Sequence, residues 1–114
     1  MEHSREQMRY CKLEIFVPVT HLEEIRQALF YAGAGQSEHY DSVMSYHPVT
    51  GCFRPLSGAN PYTGTAGVHT QVEEYKVEAR CTLASCAAVV RALRAAHPYE
   101  EPVINILPLM ALEE

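Results

Sequence analysis

The sequence predicts an α+β domain of the ferredoxin-like type, a β-α-β-β-α-β chain forming a four-stranded antiparallel sheet with two helices on one face. Three observations carry that prediction. Under a shift of 64 positions, Lys12-Leu13-Glu14 falls on Lys76-Val77-Glu78, and Leu22, Ile25, Ala28 and Leu29 fall on Cys86, Val89, Ala92 and Leu93. Each half opens with apolar-polar alternation and then switches to helical spacing. Two prolines, in His97-Pro98-Tyr99-Glu100-Glu101-Pro102, force the chain out of the second helix and into a last apolar run. Two βαβ units with right-handed crossovers give this topology.

In the first strand Leu13, Ile15 and Val17 alternate with Glu14 and Phe16, the period of a strand with one buried face. Leu22, Ile25, Leu29 and Ala32 then form one stripe of a helix. Thr20 is its N-cap candidate, with Glu23 at capping-box spacing, and Gly33 or Gly35 its stop. Residues 38–47, rich in Tyr, Val and Ser, read as the second strand. Residues 48–70 hold Gly51, Gly58, Gly64, Gly67, Pro55 and Pro61 and read as a long ordered loop, anchored by Phe53, Arg54 and Tyr62. A loop of that length in a small domain is usually functional or disordered. Val77, Ala79 and Cys81 alternate with Lys76, Glu78 and Arg80 in the third strand. Cys86, Val89, Val90 and Leu93 give the second helix its stripe, with Ser85 as N-cap candidate, and residues 103–109 read as a buried last strand. The domain is thus placed at 10–109, with a loose tail at 1–9 and a short one at 110–114. The sheet face away from the helices carries Glu14, Phe16, Lys76, Glu78 and Arg80; contact with another subunit and plain solvation both fit that mixture.

Composition bounds the function. The chain has 114 residues, 47% hydrophobic and 20% charged, which fits one globular domain. A net charge of −5 without a Lys/Arg run argues against nucleic-acid binding. The apolar stretches fall far short of the roughly 20 residues of a membrane span. Residues 1–9 do not resemble a secretory signal, so the cytoplasm is the expected compartment. Cys11, Cys52, Cys81 and Cys86 show no zinc spacing and read as reduced thiols. Cys81 and Cys86 fall at core-facing, inert positions, leaving Cys52 as the reactive candidate.

The loop segment Gly51-Cys52-Phe53-Arg54-Pro55-Leu56-Ser57-Gly58-Ala59-Asn60-Pro61 and the connector at 97–102 closely resemble an accessory domain of the YqfO/YbgI family, dinuclear-metal proteins named after a yeast Ngg-interacting factor. Phe16-Val17-Pro18-Val19 and Asn105-Ile106-Leu107-Pro108-Leu109 extend the match. The resemblance implies a CutA/PII-like domain, here free-standing. The connector also resembles the CutA family, which has been linked with copper tolerance. CutA and PII proteins are trimers, which implies a homotrimer here, and in PII the loop between the middle strands frames effector sites. The metal-holding core of the long members has no counterpart in this chain, so their hydrolase activity is not implied.

On this basis the expected function is a non-catalytic binding or sensing module that recognises a small effector or a partner protein through loop 48–70 and the subunit clefts. Phe53, Arg54, Asn60, Tyr99 and Glu100 are the candidate ligand-binding residues; Arg54 offers a planar fork for carboxylate or phosphate. The glycine spacing excludes a P-loop. His97 and Glu101, with His47 and His69 flanking the loop, are the candidate metal ligands, suited to copper or zinc. The competing reading of the connector is a structural corner whose polar groups face a neighbouring subunit. An enzyme with a site between subunits, using the connector carboxylates as acid and base, is a third reading.

Overall fold

The alternation that begins at Leu13 belongs to a longer strand than the sequence predicts. The computed structural model describes residues 6–112, and β1 runs Glu6–Pro18. Its backbone pairs with β4 from Glu6 onward, with an irregularity between Gln7 and Tyr10. The expected loose tail is therefore strand from residue 6, and residues 1–5 lie outside the described ones.

A 3-10 turn (Val19–His21) leads into α1 (Leu22–Ala32). Thr20 does not cap the helix. Its hydroxyl bonds His21 Nδ1 at 2.9 Å instead, and the helix starts without a side-chain cap. Gly33 ends it as expected, in the left-handed region at φ 101°, with its N–H donating to Phe30 O.

β2 is Ser45–Phe53 and β3 is Thr70–Thr82. The ladder between them runs from Ser45 opposite Glu78 to Phe53 opposite Thr70. This shifts the second strand away from the expected 38–47 and shortens the loop to residues 54–69. Pro48 and Gly51 count against a strand by propensity, but β2 is an edge strand, bonded only to β3, where proline is tolerated. Residues 33–44 instead form a turn held to the sheet by Gly35 N–H on Arg80 O at 2.8 Å and Val43 N–H on Gly35 O at 2.9 Å.

α2 (Leu83–Ala96) is capped by Thr82, whose hydroxyl accepts from Ser85 N–H at 3.2 Å. Ser85 thus lies inside the helix, three residues past the cap. β4 is Ile104–Leu112, reaching into the expected C-terminal tail.

The sheet order is β2-β3-β1-β4, with every neighbouring pair antiparallel. Leu13, Ile15, Val17, Val77 and Ala79 face Ile25, Leu29, Val89 and Leu93 in one core. β4 is not the buried strand its composition predicts. It is the other edge, with Ile106 and Leu107 exposed. On the uncovered face Lys12, Glu14, Lys76 and Glu78 form a closed set of ion pairs at 3.5–3.8 Å, and Lys76 and Arg80 lie over the Phe16 and Tyr10 rings. Ion pairs of this kind at a surface add little stability. Their consequence is a face whose charges cancel locally. Among the described residues no helix is long and apolar enough to cross a membrane.

Candidate functional site

The two prolines of the connector do what their chemistry dictates. His97 sits at φ −82°, ψ 136°, extended as a residue before proline should be, and closes α2 with its N–H on Leu93 O. Its ring then turns inward and is 7% exposed. Nε2 lies 2.7 Å from Phe16 O, a carbonyl, so Nε2 carries the proton and donates. Nδ1 accepts from the Tyr99 N–H at 3.1 Å. Both nitrogens of a neutral imidazole are thereby satisfied, and neither is free for an ion. This corrects the expectation of His97 as a metal ligand: the ring is a strap tying the connector to β1. Burial holds its pKa below the usual histidine value, outweighing the Phe16 carbonyl and the Glu74 charge, while His21 adds to the lowering.

That shift makes a pH prediction. The folded state binds this proton less readily than the unfolded state, so the associated stability is fully present above about pH 6.5 and is lost as pH falls through the lowered folded value. Denaturation midpoints should therefore fall on acidification below about pH 6.5 with a component that His97→Gln removes; an unchanged slope in the variant would contradict it.

Tyr99 carries the site outward. Its hydroxyl donates to Glu74 Oε2 at 2.7 Å, and burial together with that carboxylate raises the phenol pKa well above its usual range. Glu74 is a carboxylate only 6% exposed. It owes its place to Gly51 on the neighbouring strand: a Cβ there would overlap the carboxylate, with Glu74 Cδ only 2.7 Å away. The glycine of the loop motif is thus a strand residue that makes room for an acid.

The loop folds back onto this cluster. Asn60 donates its backbone N–H to Glu100 Oε1 at 2.7 Å. The Tyr62 ring lies between His21, edge-on at 5.6 Å, and Tyr99 at 6.0 Å, and His97 stacks obliquely on Tyr99 at 4.8 Å. Phe53 packs beside Gly64. Asn60, Tyr99 and Glu100, three of the five predicted ligand residues, therefore meet, with Asn60 contributing its backbone. Arg54 stands exposed at the loop's start.

The remaining metal candidates do not converge. His47 lies within β2 opposite Lys76, whereas His69 precedes Thr70 at the other end of the ladder. Seven residues at roughly 3.3 Å each separate the two levels by about 23 Å. The expected approach of these two histidines is excluded, because the loop begins after Phe53. Glu101 is exposed. Among the described residues only Cys11, Cys81 and Cys86 gather three potential ligand atoms.

Sequence reasoning passed over Glu74 and over Tyr62 as a stacking partner. Glu73-Glu74 resembles a solvated acidic pair, and only the strand register reveals that Gly51 and Glu74 are neighbours.

No family model matches the chain. It is 42% identical over 98 residues to the "GTP cyclohydrolase 1 type 2 homolog" of Halalkalibacterium halodurans, an alignment covering 86% of this chain and 26% of the relative. The chain thus spans about a quarter of the length of the curated relatives it matches. Among solved structures, a Bacillus cereus protein related to NIF3 superposes with a TM-score of 0.77 at 35% identity, over 95% of this chain and 27% of that one. CutA from Synechococcus elongatus superposes with a TM-score of 0.67 at 18% identity, over 92% and 80% of the two chains. The second likeness is one of fold.

Proposed function

Starting from a chain homologous to a CutA-like quarter of the NIF3-related proteins, we propose that it is a non-catalytic binding module, acting as a cytoplasmic homotrimer that recognises a small effector or a partner protein through the loop at 54–69. One observation carries this reading. The loop is fixed to the connector by Asn60 and Tyr62, yet it holds Leu56, Tyr62 and Val68 half or more exposed, with Arg54 beside them. A pinned loop that keeps large apolar groups and an arginine in water is built for contact, since ordering it has already cost the entropy that binding would otherwise require. The trimer rests on the resemblance to CutA/PII proteins, and the charge-cancelled sheet face supports it. The activity in the relatives' name is not part of this reading, because nearly three quarters of each relative lies outside the matched segment.

A thermal-shift screen against nucleotides, common metabolites and divalent metals tests the proposal. An organic anion that raises the midpoint of the native chain and fails to raise that of Arg54→Ala supports it. A ligand whose shift survives both Arg54→Ala and Leu56→Ala would place recognition elsewhere.

A further inference from the structure

Three cysteines meet under the start of α2, Cys11 coming from far away in sequence to join Cys81 and Cys86. Cys11 and Cys81 are directly opposed on β1 and β3, with their Sγ atoms 3.4 Å apart. Cys86 approaches from the N-terminal part of α2, and the three sulfurs all lie within 4.8 Å of one another. All three are buried, and burial raises each thiol above its ordinary pKa.

We propose that Cys11, Cys81 and Cys86 form a binding site for one soft, low-coordinate metal ion of the Cu(I) class. Three sulfurs bound to one ion at about 2.3 Å stand roughly 4 Å from each other, and a Cys11–Cys81 separation of 3.4 Å with none above 4.8 Å leaves the trio within a small adjustment of that arrangement. Coordination number selects the ion. Zinc takes four ligands in structural sites. No His, Asp, Glu or further Cys joins this trio among the described residues, and the burial of Cys11 and Cys81 keeps out a completing water. Thiolates alone, in two- or three-coordination, suit Cu(I). Binding exchanges thiol protons for the ion. The negative charge left on the thiolates lies near the N-terminus of α2, the positive end of the helix dipole. This site shares no residue with the loop and connector, so it stands or falls separately from the proposed effector binding.

The test is an anaerobic titration of the reduced, full 114-residue chain with Cu(I), buffered by bathocuproine disulfonate. One equivalent per chain is expected, with three sulfur neighbours and no nitrogen or oxygen in the copper X-ray absorption spectrum. Cys52→Ser, which removes the exposed thiol, should keep that equivalent, and Cys86→Ala should lose it. No uptake, nitrogen or oxygen neighbours, loss with Cys52→Ser or full retention in Cys86→Ala would each overturn the proposal. Should Cys86→Ala fail to fold, the sulfur count on the unaltered chain decides alone.

Discussion

Replacing His97 with alanine is expected to destabilise the domain by about 3 kcal/mol, the sum expected for two stranded hydrogen-bonding groups and a partly filled cavity. The ring is buried, and it satisfies Phe16 O through Nε2 and the Tyr99 N–H through Nδ1. In a domain of this size that loss should lower the melting midpoint by roughly 10–15 °C. His97→Asn, which keeps a donor and an acceptor on a shorter arm, should recover part of it, while His97→Phe, of similar bulk but without either group, should not. Urea denaturation of the three variants separates hydrogen bonding from volume. A His97→Ala midpoint within about 1 °C of the native chain would mean that the connector is not a strap at all.

The second large effect is expected at Gly51. Alanine there drives a methyl group into the Glu74 carboxylate, which is buried and tied to the Tyr99 hydroxyl. The carboxylate has to swing away, breaking that bond and leaving the phenol without its acceptor, for a loss of about 2 kcal/mol. The effect should depend on the acid. In a Glu74→Ala background the space is already open, so Gly51→Ala should cost under about 0.5 kcal/mol, and the double-mutant cycle should show strong coupling. Additive effects would show that Gly51 is required for its backbone and not for its missing side chain.

These two residues also show what was legible in the sequence. The fold class, both helices and the two central strands follow from periodicity, because a strand or helix with one buried face repeats its apolar residues at a fixed interval. The connector was legible as a corner, since Pro98 and Pro102 restrict the backbone whatever surrounds them. The second strand was displaced because Pro48 and Gly51 argue locally against a strand, and the compensation lies elsewhere: an edge position for the proline and a buried carboxylate packed over the glycine. β4 seemed buried because Ile104, Ile106, Leu107 and Leu109 are apolar, whereas burial depends on neighbours, and an edge strand has only one in the single chain.

The candidate site was half visible. Tyr99, Glu100 and Asn60 were recognisable as polar groups on stiff segments, and the fold brings them together. Glu74 and the three-cysteine cluster were not, because each depends on register. Cys11 and Cys81 are 70 residues apart in sequence and become neighbours only when β1 pairs with β3. The His47–His69 pairing failed for the same reason in reverse: the ladder runs on past His47 to Phe53, so the two histidines lie at opposite ends of it.

The proposed module acts as a homotrimer, and native mass tests that claim most directly. Multi-angle light scattering on the chain at micromolar concentration should give about 38 kDa, three times the 12.8 kDa protomer. A clean peak near 13 kDa, unchanged on concentration, would contradict it.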